Sequence, residues 1–350
     1  MSWKLKLQQF CVVKSIAYLG LAAALWAACS PSAPEEQVKK TETPLDSVSV
    51  YLESNPNDLD ALAFRSGLYL EQKNLPYAKA DMEAALALDS NHVPSLLRKG
   101  EVYFIGNQTR ISKEAWERCI QLDPDNIPCR LKMAELYSIV QDYDKCLTFV
   151  DAVLKRDENN AMAYYIKGLA LRDTKADTAL ALKYIQKSID LNPSFVPALD
   201  MAGVLHMGLN SGLAGGYFQR IIDQDPNNAK AYYNLGMFHL GAKDYNPAIA
   251  AFTTCGQLNP NDPEPFFNLG FIHLELNMLV EARTYFGQSI KAQEINYRAY
   301  YGRAFAAERG GDLTNAEKDY RKAVEYNPAH TPSKEGLKRI LQEKSRVKWE

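Results

Sequence analysis

The stretch AYYNLGMFHL, Ala231 to Leu240, has a near copy in PFFNLGFIHL, Pro265 to Leu274. The two lie 34 residues apart. His239 and His273 hold the same place in both copies, and His206 sits 33 residues before the first. Three evenly spaced histidines read either as a metal ladder or as one packing position written three times. A period of this size is the mark of stacked supersecondary units.

The punctuation of the chain follows the same period. Asp123-Pro124, Asn192-Pro193, Asp225-Pro226, Asn259-Pro260 and Asn327-Pro328 each close an apolar block, at spacings of about 34 or a multiple of it. Proline there stops one helix and starts the next unit. Within a unit, apolar residues recur at helical spacing in two blocks, split by turns such as AKDY or RGGDL. Ala, Leu and Tyr are plentiful and runs of Val, Ile and Thr are few, which favours helix over strand.

Counting from Ala229 as place 1, one unit reads Tyr at 4, Leu at 7, Gly at 8, Ala at 20, Phe at 24, Cys at 27 and Pro at 32. This pattern resembles the tetratricopeptide repeat, a helix-turn-helix of 34 residues. Eight units fit end to end, starting at Leu59, Val93, Ile127, Ala161, Val196, Ala229, Pro263 and Tyr297. One inserted residue in the fourth and one deleted in the fifth keep the register. Place 8 is then Ser66, Gly100, Ala134, Gly168, Gly203, Gly236, Gly270 and Ala304. Place 20 is Ala78, Ser112, Cys146, Ala181, Ala214, Ala248, Ala282 and Ala316. Helices that cross closely need small side chains where they touch. The resemblance implies an all-α, right-handed superhelical solenoid of about eight units over residues 59–330. Residues 45–58 would form an N-terminal half-repeat, and 331–350 a charged C-terminal capping helix over the open end.

The amino terminus reads differently. Lys4, Lys6 and Lys14 precede the apolar run SIAYLGLAAALWAA, Ser15 to Ala28, which is short for a bilayer span. A basic start, a short apolar stretch and small residues at its end read as an export signal over 1–28. The following Cys29 gives LWAACS a resemblance to the lipobox of bacterial lipoproteins, in which the cysteine is acylated. Trp26 stands where the family usually has leucine, and the alternative is a soluble exported protein. Ser30 after the cysteine resembles the pattern sorted to the outer membrane, on its periplasmic or surface face. Residues 29–44 read as the acylated cysteine and a flexible polar tether, whose fourteen residues Ser30 to Thr43 would have an end-to-end distance of roughly 20 Å. The formal charge is -2, and loss of residues 1–28 removes three lysines and no acid, leaving -5. No basic stripe points to nucleic acid.

The register places His206, His239 and His273 at place 11, facing the partner helix, where the first three units carry Tyr69, Tyr103 and Tyr137. Equivalent places lie about 8–10 Å apart, too far for three imidazoles to share one ion. Packing is the reading. Cys146, Cys119 and Cys255 fall at small-residue places and read as small hydrophobes. Cys129 lies near the turn after Cys119, so a disulfide between them stays open to geometry. No metal site, cofactor motif, phosphate loop or nucleophile elbow is legible, and no catalytic domain fits outside the repeats. GLAGG, Gly212 to Gly216, reads as a shortened turn.

In the family, the first helices line a concave groove. Its candidate binding residues here are Phe104, Tyr165, Tyr233, Asn234, Met237, Phe267, Asn268, Phe271, Tyr301 and Phe305. Aromatic and methionine clusters suit a helical or extended partner segment. The competing reading is that the chain's own segments cover this stripe. Asn234 and Asn268 resemble asparagines that hold peptide backbone. The lysine clamp of the cochaperone branch is absent. Groove charges in the first three units are Asp60, Glu71, Glu101 and Glu135 with no base, which suits a basic or apolar ligand. The resemblance implies a non-enzymatic, lipid-anchored adaptor that binds an envelope protein, such as those serving secretion, pilus, gliding or cell-wall complexes. The alternative is a glycan- or peptidoglycan-binding lipoprotein that uses the groove aromatics.

Overall fold

The computed structural model describes residues 43–347 apart from residue 176. The export signal, Cys29 and the tether up to residue 42 lie outside the described residues. Among these there are eighteen helices and no strand. The chain divides after Glu158 into two compact units.

The first unit opens with α1 (Pro44–Ser54). Three helix pairs follow: α2 (Leu59–Glu71) with α3 (Leu75–Leu88), α4 (Val93–Ile105) with α5 (Thr109–Leu122), and α6 (Ile127–Ile139) with α7 (Tyr143–Leu154). The second unit has five pairs. These are α8 (Ala161–Lys175) with α9 (Thr178–Leu191), α10 (Val196–Gly208) with α11 (Ala214–Gln224), and α12 (Ala229–Gly241) with α13 (Tyr245–Leu258). Then come α14 (Pro263–Glu275) with α15 (Leu279–Ala292), α16 (Tyr297–Arg309) with α17 (Leu313–Tyr326), and the last helix α18 (Thr331–Val347). Each first helix packs on its own second helix and, within a unit, each second helix packs on the next first helix. Place 20 is fully buried in all eight pairs.

Place 24 supplies the bulk that place 8 accommodates. It holds Met82, Trp116, Val150, Ile185, Phe218, Phe252, Phe286 and Tyr320, all at most 1 % exposed. A Cβ on Gly236 would come within 2.7 Å of the Phe252 ring, and one on Gly270 within 2.8 Å of Phe286. The single deletion shortens α11 to 11 residues, yet Ala214 and Phe218 keep their buried places.

Local chemistry sets the helix ends. Asp58, Asn126, Asn160, Asn228 and Asn296 each accept from a backbone N–H three residues on and cap a first helix. In the recurring Asx-Pro turns, Asp123, Asn192, Asp225 and Asn327 accept from the N–H two residues on. Between the helices of a pair, Lys73, Asn107, Gln141, Asn210, Lys243, Asn277 and Gly311 all occupy place 15 with positive φ. One left-handed residue there reverses the chain.

The ends of the array are closed by neighbouring helices. In α1, Val48 and Leu52 are buried against Ala61, Leu62 and Ala85. In α18, Ile340 is buried against Tyr320, while Arg339 and Lys344 donate to Glu308 and Glu317.

Candidate functional site

In the second unit, the first helices bring place 5 into a row: Tyr165, Asp200, Tyr233, Phe267 and Tyr301. All five are half-buried. Place 2 of the next repeat crosses over place 5. Lys230 Nζ lies 2.7 Å from Asp200 Oδ2, and the Arg298 guanidinium sits 4.1 Å from the Phe267 ring centre. Arg298 also pairs with Glu264 at 3.4 Å. The residue just ahead of the next first helix closes the row from the side: Phe195 meets Tyr165 edge-on at 5.4 Å, and His330 meets Tyr301 at 5.1 Å.

The place-6 asparagines reach back one repeat. Asn234 Nδ2 donates to Asp200 Oδ1 at 2.8 Å. Asn268 is buried, with its Nδ2 3.5 Å from the Tyr233 hydroxyl and 3.6 Å from Met237 Sδ. Burial pushes the Tyr233 hydroxyl pKa up, against the Asn268 hydrogen bond that lowers it.

Place 9 is the open row. It holds Leu169, Val204, Met237, Phe271 and Phe305, of which Val204 is 38 % and Phe271 39 % exposed. Met201 and Met207 lie half-buried on the α10 face. Phe305 stacks on Tyr301 at 6.2 Å. The apolar candidate residues therefore fall into two groups. Phe267 and Tyr301 have neighbours against their rings, while Phe271 presents its surface outward.

The first unit is different. Phe104 packs on Trp116 at 5.7 Å, and Trp116 is buried with its Nε1 donating to the Leu97 carbonyl. Two of the acids expected to lack a basic partner have one: Glu101 pairs with Arg98 and Lys132, and Glu135 with Lys132, while Asp60 lies 3.5 Å from His92. Arg98 and Lys132 stand at place 6, three residues before each acid at place 9, so one helical turn closes each pair. For Glu101 and Glu135 this corrects the sequence expectation of acids without a base.

Two of the three place-11 histidines pack against rings of second helices. His206 stacks on Tyr217 at 5.4 Å and His273 lies 4.9 Å from Tyr285, both rings at place 23. Where place 23 is Ala251, His239 instead approaches Asp244 at 3.6 Å. Among the described residues no group of three or more His, Cys, Asp or Glu side chains could hold a metal ion. Nor is any described helix long and apolar enough to cross a membrane.

Geometry decides the open cysteine pair. Cys119 in α5 and Cys129 in α6 form a disulfide, both buried, with Cα atoms 6.5 Å apart. The signal was their closeness around one Asx-Pro turn. Cys146 and Cys255 are buried thiols whose pKa values burial pushes up to about 11, which leaves them unreactive packing groups.

Tetratricopeptide repeat family models match residues 217–250 and 272–330. Among solved structures, the C-terminal part of a TPR repeat-containing protein from Cytophaga hutchinsonii is similar at 16 % identity and a TM-score of 0.56. That likeness spans 69 % of this chain and 99 % of the other. A crystal structure of MamA protein is similar at 24 % identity and a TM-score of 0.45, over 49 % of this chain and 93 % of that one. Curated proteins offer no match. With eight helix pairs in one register and the repeat matched in two segments, the chain has the fold of a tetratricopeptide-repeat solenoid.

Proposed function

We propose that this chain is a lipid-anchored, non-enzymatic scaffold of the cell envelope, acylated at Cys29, whose second unit binds an apolar partner segment along place 9. The observation that carries the binding face is the outward apolar row with Val204 and Phe271 more than a third exposed. Each first helix of the second unit adds one apolar side chain at place 9, exposed at Val204 and Phe271 and half-buried at Leu169, Met237 and Phe305, so an extended or helical segment meets a repeating series of contacts. Methionines beside the row adapt their shape to what docks. Arg298 over Phe267 takes up a ring face that a sugar would stack on, and Tyr301 is flanked by His330 and Phe305, which favours a peptide over a glycan. The Cys119–Cys129 disulfide fits an oxidising compartment and so supports export.

The binding face is tested with a photo-crosslinking amino acid at position 271 of the full chain, beside one at exposed Gln288 on the second helix of the same repeat. The expected result is a protein adduct from 271 that is absent from 288 and weakened by Val204→Ser. Equal labelling from both positions would overturn the reading. The anchor is tested separately by Cys29→Ala, which should release the protein from membranes.

A further inference from the structure

Place 5 of the second unit carries one carboxylate among four aromatic rings. Asp200 stands where its neighbours one repeat away are Tyr165 and Tyr233. It lies in a cavity of about 230 Å³ shared with Tyr165, Val196, Pro197, Ile221 and Lys230. Its side chain is only 18 % exposed, whereas its partner Lys230 is 72 % exposed. The Asn234 amide holds the other carboxylate oxygen at 2.8 Å. One side of this ion pair is therefore fixed in the groove wall, and the other is a long, solvated side chain.

We infer that Asp200 is a subsite for a basic side chain, and that the segment bound in the groove carries a lysine or arginine flanked by apolar residues. This rests on the groove reading above and names the chemistry of its partner. Charge complementarity is the argument. An exposed lysine paired with a carboxylate gains little from the contact, because water screens it. A ligand cation reaching the same carboxylate between Tyr165 and Val196 is removed from water. There the charge-assisted hydrogen bond counts for more. The tyrosine ring adds a favourable surface for a cation. Lys230 occupies the position in the free protein and swings away when the ligand cation enters. An acidic side chain would meet the Asp200 carboxylate and be excluded.

The test uses the purified full chain and three fluorescent synthetic peptides of one apolar sequence, with lysine, norleucine or glutamate at the central position. Helix content is checked for each variant. The lysine peptide should bind about tenfold tighter than the norleucine peptide, and the glutamate peptide weakest. Asp200→Asn should abolish the difference between lysine and norleucine. Lys230→Ala should tighten the lysine peptide by about threefold, because a competitor for Asp200 is gone; a purely structural ion pair would give no gain. Equal binding of all three peptides, lost on Phe271→Ser, would overturn the basic subsite and leave the groove reading intact. Binding that ignores Phe271→Ser, or no binding, would overturn both.

Discussion

Arg303 donates through Nε and Nη2 to the two carboxylate oxygens of Asp319, at 2.7 and 2.8 Å, and Asp319 is 4 % exposed. The same bidentate pair recurs between Arg65 and Asp81 in the first repeat, at the same places 7 and 23. In the sixth repeat these places hold Leu235 and Ala251. The chain thus contains both a polar and an apolar solution to one contact. Removing one partner leaves a buried charge alone. Asp319→Ala should cost about 3 kcal/mol, toward the low end for such a pair because Arg303 stays partly exposed. Arg303→Leu combined with Asp319→Ala, copying the sixth repeat, should recover most of that loss. Denaturant midpoints of the single and double variants check this.

The place-15 turns carry side chains where the backbone is left-handed. Gln141 has φ 61° and Lys243 has φ 58°. Neither has the short side chain that lets asparagine tolerate this region. Lys243→Gly should raise stability by about 0.5–1 kcal/mol. Asn277→Gly, at φ 59°, should gain less. Denaturation with urea would show the ranking.

The Cys119–Cys129 disulfide closes a short loop, with a sequence separation of 10, between the second and third repeats. Chain-entropy arguments assign such a loop about 2–3 kcal/mol. Protein prepared under oxidising conditions should melt higher than the same protein with dithiothreitol. Cys119→Ser should abolish the difference. Thiol counting under denaturing conditions should find Cys146 and Cys255 free while these two are unreactive.

Acid should loosen the carboxyl-terminal end. Burial raises the Glu308 pKa, but hydrogen bonds from Arg339 and Tyr320 outweigh it and hold the carboxyl below its usual range. A depressed carboxylate contributes stability above its unfolded pKa, near 4.3, and loses it as pH falls through the folded value. Glu317, held down by Lys344 and Arg321, acts in the same direction. Unfolding midpoints should therefore fall between pH 5 and pH 3, and Glu308→Gln should flatten that fall.

Much of the architecture was legible in the residues because a repeat writes each packing requirement eight times. Small residues at places 8 and 20 fixed the register. Asx-Pro turns and Asp or Asn caps placed the helix starts, since both act through bonds spanning two or three residues. The histidines resolved into packing groups for the same reason.

Contacts between repeats were set by tertiary structure. Whether Cys119 bonds Cys129, whether Arg298 covers Phe267, and whether Asn234 turns back to Asp200 depend on how one helix pair sits on the next. Periodicity defines which face a residue shares, not which rotamer it takes or which side chain from 30 or more positions away fills the space beside it. Local pairing hid the compensation of Glu101 and Glu135 by Arg98 and Lys132, because those bases stand at place 6, outside the places first assigned to the groove. The sequence by itself determined the repeated helix pair and its buried seams, which follow from side-chain size and helical period. Tertiary structure alone decided which part of the aromatic stripe stays open, because exposure is what remains after neighbouring repeats have packed.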